Sequence, residues 1–259
     1  MRCPLGLTSV GIVSAIALLA ALAPTHAREV QTPCAPVVHA GQTHIVCRFH
    51  AATDHIMLHH RGTDGAIYRT FERLEASLSA SGRTLVFAMN AGMYHADRLP
   101  VGLLTINGKE IAPLNRSTWV GNFYLKPNGV FFVRADGTAG VMETERFRTS
   151  GITPRHATQS GPMLVIDGAL HPRFLVDASS RNIRNGVGVS ADGQQIVFAI
   201  SAGPVTFHEF GTLFRDVLKT PNALYLDGSI SRLFARDLNR NDPGEDMGPI
   251  VAVSVPTGP

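Results

Sequence analysis

Five Asn-Gly or Asp-Gly pairs set between apolar runs constrain this chain more than any other feature: Asn107-Gly108, Asn128-Gly129, Asp136-Gly137, Asp167-Gly168 and Asp192-Gly193. Such pairs fit the positive φ angles of tight hairpin turns, so antiparallel strands are expected to dominate. The expected strands are 44–49, 55–60, 84–90, 102–106, 122–125, 130–133, 163–166, 186–190, 195–201 and 223–226. Two segments have helical periodicity instead. Residues 69–80 place Phe71, Leu74 and Leu78 three and four apart, and residues 206–219 do the same with Phe210, Leu213, Phe214 and Val217. The fold class is therefore α+β, a mainly antiparallel sheet with hairpins and about two amphipathic helices packed on it. The succession 195–201, 206–219, 223–227 has the pattern of a strand–helix–strand crossover, which puts Asp227 at the end of a buried strand. Residues 239–248 are polar and rich in Asp, Asn and Gly, hence a loop, ahead of a last apolar stretch at 249–255. There is no fixed-period repeat and no low-complexity segment.

The first 27 residues have the layout of an export signal: Arg2, an apolar run over 10–23, and a small-residue end at Thr25-His26-Ala27. That run is too short to span a bilayer comfortably, and every later apolar run is broken by charge, Gly or Pro. The expectation is a cleaved signal over 1–27 and one domain over 28–259, with no Ser/Gly-rich linker to divide it. No stable membrane span should remain after signal removal, and the product should be periplasmic or secreted.

The signal takes one Arg, leaving 22 basic against 20 acidic residues, a net +2. Basic residues are scattered, so nothing argues for nucleic acid. Only three of the 23 basic residues are lysines. Arg suits bidentate recognition of phosphate or carboxylate better than Lys. Cys3 would leave with the signal. Cys34 and Cys47 remain, an even count in an oxidising compartment, and a bridge between them is favoured over two inert thiols. No CxxC or Cys/His spacing suggests zinc, and neither a metal nor another cofactor is expected.

Three polar segments follow or precede strands. In Met89-Asn90-Ala91-Gly92-Met93-Tyr94-His95, small and polar residues abruptly replace an apolar run, either as a binding loop or as a turn needing unusual backbone angles. Ser179-Ser180-Arg181-Asn182-Ile183-Arg184-Asn185-Gly186 sets two Arg and two Asn before an apolar strand, as an anion site or as solvated charge. In Leu226-Asp227-Gly228-Ser229-Ile230-Ser231, a carboxylate ends a strand beside Gly and hydroxyl residues. That suits acid, base, nucleophile or metal chemistry, or an Asx turn.

Other templates fail. Ser160 lacks a nucleophile elbow's flanking glycines, Gly186-Val-Gly188 lacks a third glycine, and Asp-Gly-Ser is the wrong order for an aspartic protease. By strand parity His55 and His59 share one face and His60 the other, which disfavours a metal site. Asn115-Arg116-Ser117 is a glycosylation sequon. Glu209 stands where it favours the dipole of the second helix.

As an ordered set, Phe87-Ala-Met-Asn-Ala-Gly-Met-Tyr94, Gly121-Asn-Phe-Tyr-Leu-Lys-Pro-Asn-Gly129, Gln159-Ser-Gly-Pro-Met-Leu164 and Leu226-Asp-Gly-Ser-Ile-Ser-Arg232 resemble the phosphodiester glycosidase domain family. The family includes the lysosomal uncovering enzyme, and the likeness is greatest to its short bacterial YigE-type members. It covers about 84–234. By position, the resemblance implies Asp227, Arg184 and Asn90 as catalytic residues. It implies substrate contacts from Gly92, Tyr94, Gln159, Gly228, Ser229 and Ser231, with Arg181 competing with Arg184 for a phosphate. Ser229 stands where the family has a second glycine, which puts a side chain beside the pocket.

Cleaving a sugar–phosphate bond at the anomeric carbon builds oxocarbenium character while a charged phosphate ester leaves. Such a site needs a carboxylate near the sugar and a cation near the phosphate. The expected function is thus an exported hydrolase of sugar-1-phosphodiesters in an envelope or extracellular glycan. Its alternatives are a non-catalytic module binding anionic envelope glycans and metal-assisted cleavage at phosphorus. The sequence sets no oligomeric state.

Overall fold

Four of the five Gly pairs close hairpins. At Asn107-Gly108 and Asp167-Gly168 both residues have positive φ (50° and 76°, 47° and 85°), while Gly137 and Gly193 alone supply it at the other two. Asn128-Gly129 does not turn. The Asn128 side chain is buried, donates to the Phe123 carbonyl at 2.9 Å and accepts from Thr144 Oγ1 at 2.8 Å, and Gly129 opens a strand. An Asn committed to internal bonds cannot serve as a solvent-facing turn.

The computed structural model describes residue 1, residues 33–227 and residues 230–258. Apart from Met1, the expected export signal, with its Cys3, lies like Gly228 and Ser229 outside the described residues. Among them, strands form three antiparallel sheets. The first has seven strands in the order β1 (Cys34–His39), β2 (Gln42–His50), β13 (Gln195–Ser201), β12 (Asn185–Val189), β14 (Asn222–Tyr225), β10 (Met163–Ile166) and β11 (Ala169–Leu170). The second runs β16 (Arg240–Asn241), β15 (Leu233–Ala235), β4 (Arg83–Asn90), β17 (Ile250–Pro256) and β3 (Ile56–His59). The third runs β6 (Lys109–Ala112), β5 (Leu104–Ile106), β9 (His156–Ser160), β7 (Gly129–Val133) and β8 (Ala139–Glu143). Residues 122–125, expected as a strand, instead contain a 3₁₀ turn over Asn122–Tyr124. Only Phe123 of that turn is buried, and the amides of Tyr124 and Leu125 donate to the Gly121 and Asn122 carbonyls at 3.1 and 3.2 Å, so they are taken by the turn and not by a neighbouring strand.

One helix covers each sheet. α1 (Phe71–Ala80) is capped by Thr70, whose side chain accepts from the Arg73 amide, and it packs Phe71, Leu74 and Leu78 on the second sheet. α2 (Thr144–Thr149), which the periodicity does not reveal because it is six residues long, presses Phe147 against Phe132 of the third. α3 (Phe207–Thr212) continues as a π-helical turn to Val217 and buries Phe210, Leu213 and Phe214 on the first. Glu209 completes a capping box with Thr206. The crossover is as expected, except that β12 lies between its two strands, which run parallel because each pairs antiparallel with β12.

The inner faces of the sheets meet at Phe198, whose ring lies 4.9 Å from Phe87 and 5.9 Å from Phe131, one residue from each sheet. β7, β9 and β12 are buried along their whole length, so both faces of each are covered. Cys34 and Cys47 face each other in the β1–β2 register and form a disulfide, which ties β1 to the sheet. No helix among the described residues is long and apolar enough to cross a membrane.

The packing makes stability pH-dependent. Burial pushes His44, His59 and His156 down to about 4, with nearby His39, His55 and Arg155 respectively adding to the shift. Both ring nitrogens of His44 and Nε2 of His156 have no hydrogen-bond partner. The folded pKa lies below the unfolded one, so the unfolded chain takes up protons first. Stability is therefore complete above about pH 6.5 and falls toward pH 4, by up to about 1.4 kcal/mol per pH unit for each histidine. Urea midpoints should be clearly lower at pH 5 than at pH 7, and a flat profile would contradict this packing.

Candidate active site

The ends of the first two sheets meet at a pair of buried asparagines. Asn90 ends β4 and Asn185 opens β12. The Asn185 side chain donates to the backbone oxygen of Asn90 at 3.1 Å and to its side-chain oxygen at 3.0 Å. Each amide oxygen then holds the segment after β14: Asn185 Oδ1 accepts from the Asp227 amide at 3.1 Å, and Asn90 Oδ1 from the Arg232 amide at 2.9 Å. Ser231 Oγ donates to the Asp227 carbonyl at 2.9 Å. Two amides thus clamp both ends of 227–232, which fixes the direction in which Asp227 leaves the sheet. Asn185 was legible only as part of a polar segment, since its link to Asn90 crosses 95 residues.

Asp227 is 8 % exposed and lines a cleft of about 550 Å³. Tyr94, Arg98, Trp119, Tyr124 and Glu245 share that lining. Arg232, itself buried, donates to the Asp242 carbonyl at 2.9 and 2.6 Å and to the Glu245 carbonyl at 2.9 Å, which holds the loop bearing Glu245. The Tyr94 hydroxyl donates to the Asp246 carbonyl at 3.2 Å. Burial and then the Asp227 charge push its pKa well up, so Tyr94 stays protonated.

The other described residues that the sequence pointed to are not in the lining of the cleft. Gln159 is 1 % exposed; its Oε1 accepts from Asn115 N at 2.8 Å and Leu103 N at 3.1 Å, and its Nε2 donates to the Asn115 carbonyl at 2.7 Å. It anchors the start of the loop that carries Trp119 to the rim. Within the sequon, the Asn115 amide group donates to the Val101 carbonyl at 2.7 Å. Gly92 sits flush against β9, where a Cβ would strike the Gln159 carbonyl oxygen. Arg184 has no exposed surface. It donates to the Val205 carbonyl at 2.9 Å, the Tyr225 hydroxyl at 3.3 Å and the Ser180 carbonyl at 3.3 Å, with Phe207 stacked 3.6 Å away. Arg181 is paired on the surface with Glu209 at 2.6 Å. Neither Arg is in the cleft lining.

Sequence reasoning passed over Arg98, Trp119 and Glu245. The one available signal was Trp119-Val120, two large apolar residues in a polar stretch, which the structure leaves 76 % and 86 % exposed. Among the described residues no three His, Cys, Asp or Glu side chains converge as metal ligands.

The phosphodiester glycosidase family model matches residues 83–258, which include every wall of this cleft. The uncharacterized protein YigE of Escherichia coli K12 is 34% identical over 184 residues, 71% of each chain. The catalytic domain of zebrafish N-acetylglucosamine-1-phosphodiester alpha-N-acetylglucosaminidase, auto-inhibited by its pro-peptide, superposes with a TM-score of 0.59 at 12% identity, covering 85% of this chain and 81% of that one. That likeness supports the fold, and the family match over the motifs around Asn90, Gln159 and Asp227 supports the membership: this chain belongs to the phosphodiester glycosidase family.

Proposed function

We propose that this protein is an exported glycoside hydrolase that splits a sugar-1-phosphodiester at the sugar–oxygen bond, acting on an envelope or extracellular glycan from the periplasm or outside the cell. The observation that carries the reading is Asp227, a nearly buried carboxylate at a strand end that still faces a cleft shared with a cation and exposed aromatic surface. A carboxylate so placed offsets the positive charge that develops at the anomeric carbon, and the dry wall behind it strengthens that interaction. The phosphate leaves as an anion, so departure demands little protonation. Glu245 offers a second carboxylate in the same cleft for positioning or activating water.

Asn90, with Asn185, acts as a positioning residue, since its amide oxygen holds the segment that Asp227 begins. Arg184 also positions. Its guanidinium donates to the hydroxyl of Tyr225 at 3.3 Å, at the end of the strand that leads into Asp227. Export accords with the Cys34–Cys47 disulfide, a bond that persists in oxidising compartments.

Release of reducing sugar from a panel of sugar-1-phosphodiesters by the purified protein tests this. Release from at least one member is expected. Binding of such compounds without release from any would favour a glycan-binding module instead.

A further inference from the structure

The reading above requires a cation near the departing phosphate, and the two arginines that sequence pointed to do not line the cleft. Arg184 is enclosed by carbonyl oxygens, a hydroxyl and an aromatic ring, and Arg181 is held by Glu209. Arg98 does line it. Its guanidinium stands 5.6 Å from the centre of the Tyr94 ring, and no ion pair engages it among the described residues. Its Nε is buried and has no hydrogen-bond partner. Its side chain makes no hydrogen bond or ion pair among the described residues, so the guanidinium that lines the cleft has its charge to offer an anion there.

The backbone beneath it is fixed. Arg98 has a φ of 71°, a left-handed conformation that side-chain-bearing residues adopt at a cost. It is pinned there by three bonds: its amide donates to the His95 carbonyl at 2.8 Å, its own carbonyl bonds to Nε2 of the buried His60 at 3.0 Å, and the His95 amide donates to the Leu99 carbonyl at 2.8 Å. Tyr94 bridges to Pro100 to close the loop. Arg98, Tyr94, Asp227 and Glu245 line one cleft, so a cation and two carboxylates face the space in which a bond between a sugar and an anion would lie.

Resting on the hydrolase reading, we propose that Arg98 receives the phosphate of the substrate and so makes this cleft selective for anionic over neutral glycosides. Planar donors suit two phosphate oxygens at once, and a guanidinium keeps its charge at any physiological pH. Trp119 at the rim is the chain's single Trp, so its emission reports occupancy directly.

The test is a fluorescence titration of the full-length protein, of Arg98→Gln and of Arg98→Lys, with N-acetyl-α-glucosamine 1-phosphate, inorganic phosphate and methyl N-acetyl-α-glucosaminide as probes. The parent is expected to bind the two anionic probes more tightly than the neutral one. Arg98→Gln should weaken the anionic probes by about 30-fold and leave the neutral one unchanged, and Arg98→Lys should recover part of the loss. Equal effects on charged and neutral probes, no effect on either, or a parent with no preference for the anionic probes would overturn the assignment. Turnover separates the two claims. A parent that hydrolyses phosphodiesters while Arg98→Gln keeps its kcat/KM leaves the hydrolase and removes this role of Arg98. Charge-selective binding lost in the variant, with no turnover in the parent, leaves an Arg98 anion site and removes the hydrolase.

Discussion

Asp227→Asn is expected to lower kcat on any sugar-1-phosphodiester that the parent hydrolyses by about 10³-fold or more while leaving the fold in place. The substitution keeps the shape of the side chain, removes its charge and exchanges one acceptor oxygen for an NH2 donor. Two bonds that position the segment come from the backbone of Asp227, whose amide donates to Asn185 at 3.1 Å and whose carbonyl accepts from Ser231 at 2.9 Å, and both survive. On the proposed mechanism the loss falls on kcat, because a carboxylate that offsets developing charge is felt only near the transition state. Steady-state kinetics with a thermal melt beside them check this. Loss of activity accompanied by a large drop in Tm would mean that the residue is structural.

Gly92→Ala is expected to destabilise the protein by about 1–3 kcal/mol or more and to abolish activity, because the added methyl has nowhere to go. It would meet the Gln159 carbonyl oxygen and, at 2.5 Å, Thr158 Oγ1. Both belong to β9, held between β5 and β7, and Thr158 Oγ1 already accepts from the Gly92 amide at 3.1 Å. The strand cannot retreat, so the loop must, and with it Tyr94 and the wall of the cleft. For a chain of this size the melting temperature should fall by roughly 3–10 °C. Gly203→Ala is the control: its nearest neighbour is Gln42 Oε1 at 3.9 Å, and it should melt with the parent.

How legible each feature was in the sequence depends on the range of the physics behind it. Hairpins at Asn107-Gly108, Asp136-Gly137, Asp167-Gly168 and Asp192-Gly193 follow from local backbone preference, and α1 and α3 from local periodicity. Asn128-Gly129 misleads because its side chain is engaged by Thr144, sixteen residues away. Asp227 was legible because a carboxylate ending an apolar strand is an anomaly that one segment displays. Arg98, Trp119 and Glu245 were not, because they come from three loops joined only by folding, through anchors such as Gln159 to Asn115 and Arg232 to Glu245. Arg184 shows the same limit in reverse: its spacing resembles that of an anion site, and only the folded chain brings up the Val205 and Ser180 carbonyls and the Tyr225 hydroxyl that engage its donors.

Hydrolysis of a sugar-1-phosphodiester in H₂¹⁸O, with the products resolved by mass, addresses the central claim most directly, since it reports which bond breaks. The cleft chemistry set out above places the label on the anomeric hydroxyl of the released sugar and leaves the phosphate monoester unlabelled. Label in the phosphate would mean attack at phosphorus, and the protein would then be a phosphodiesterase rather than a glycosidase.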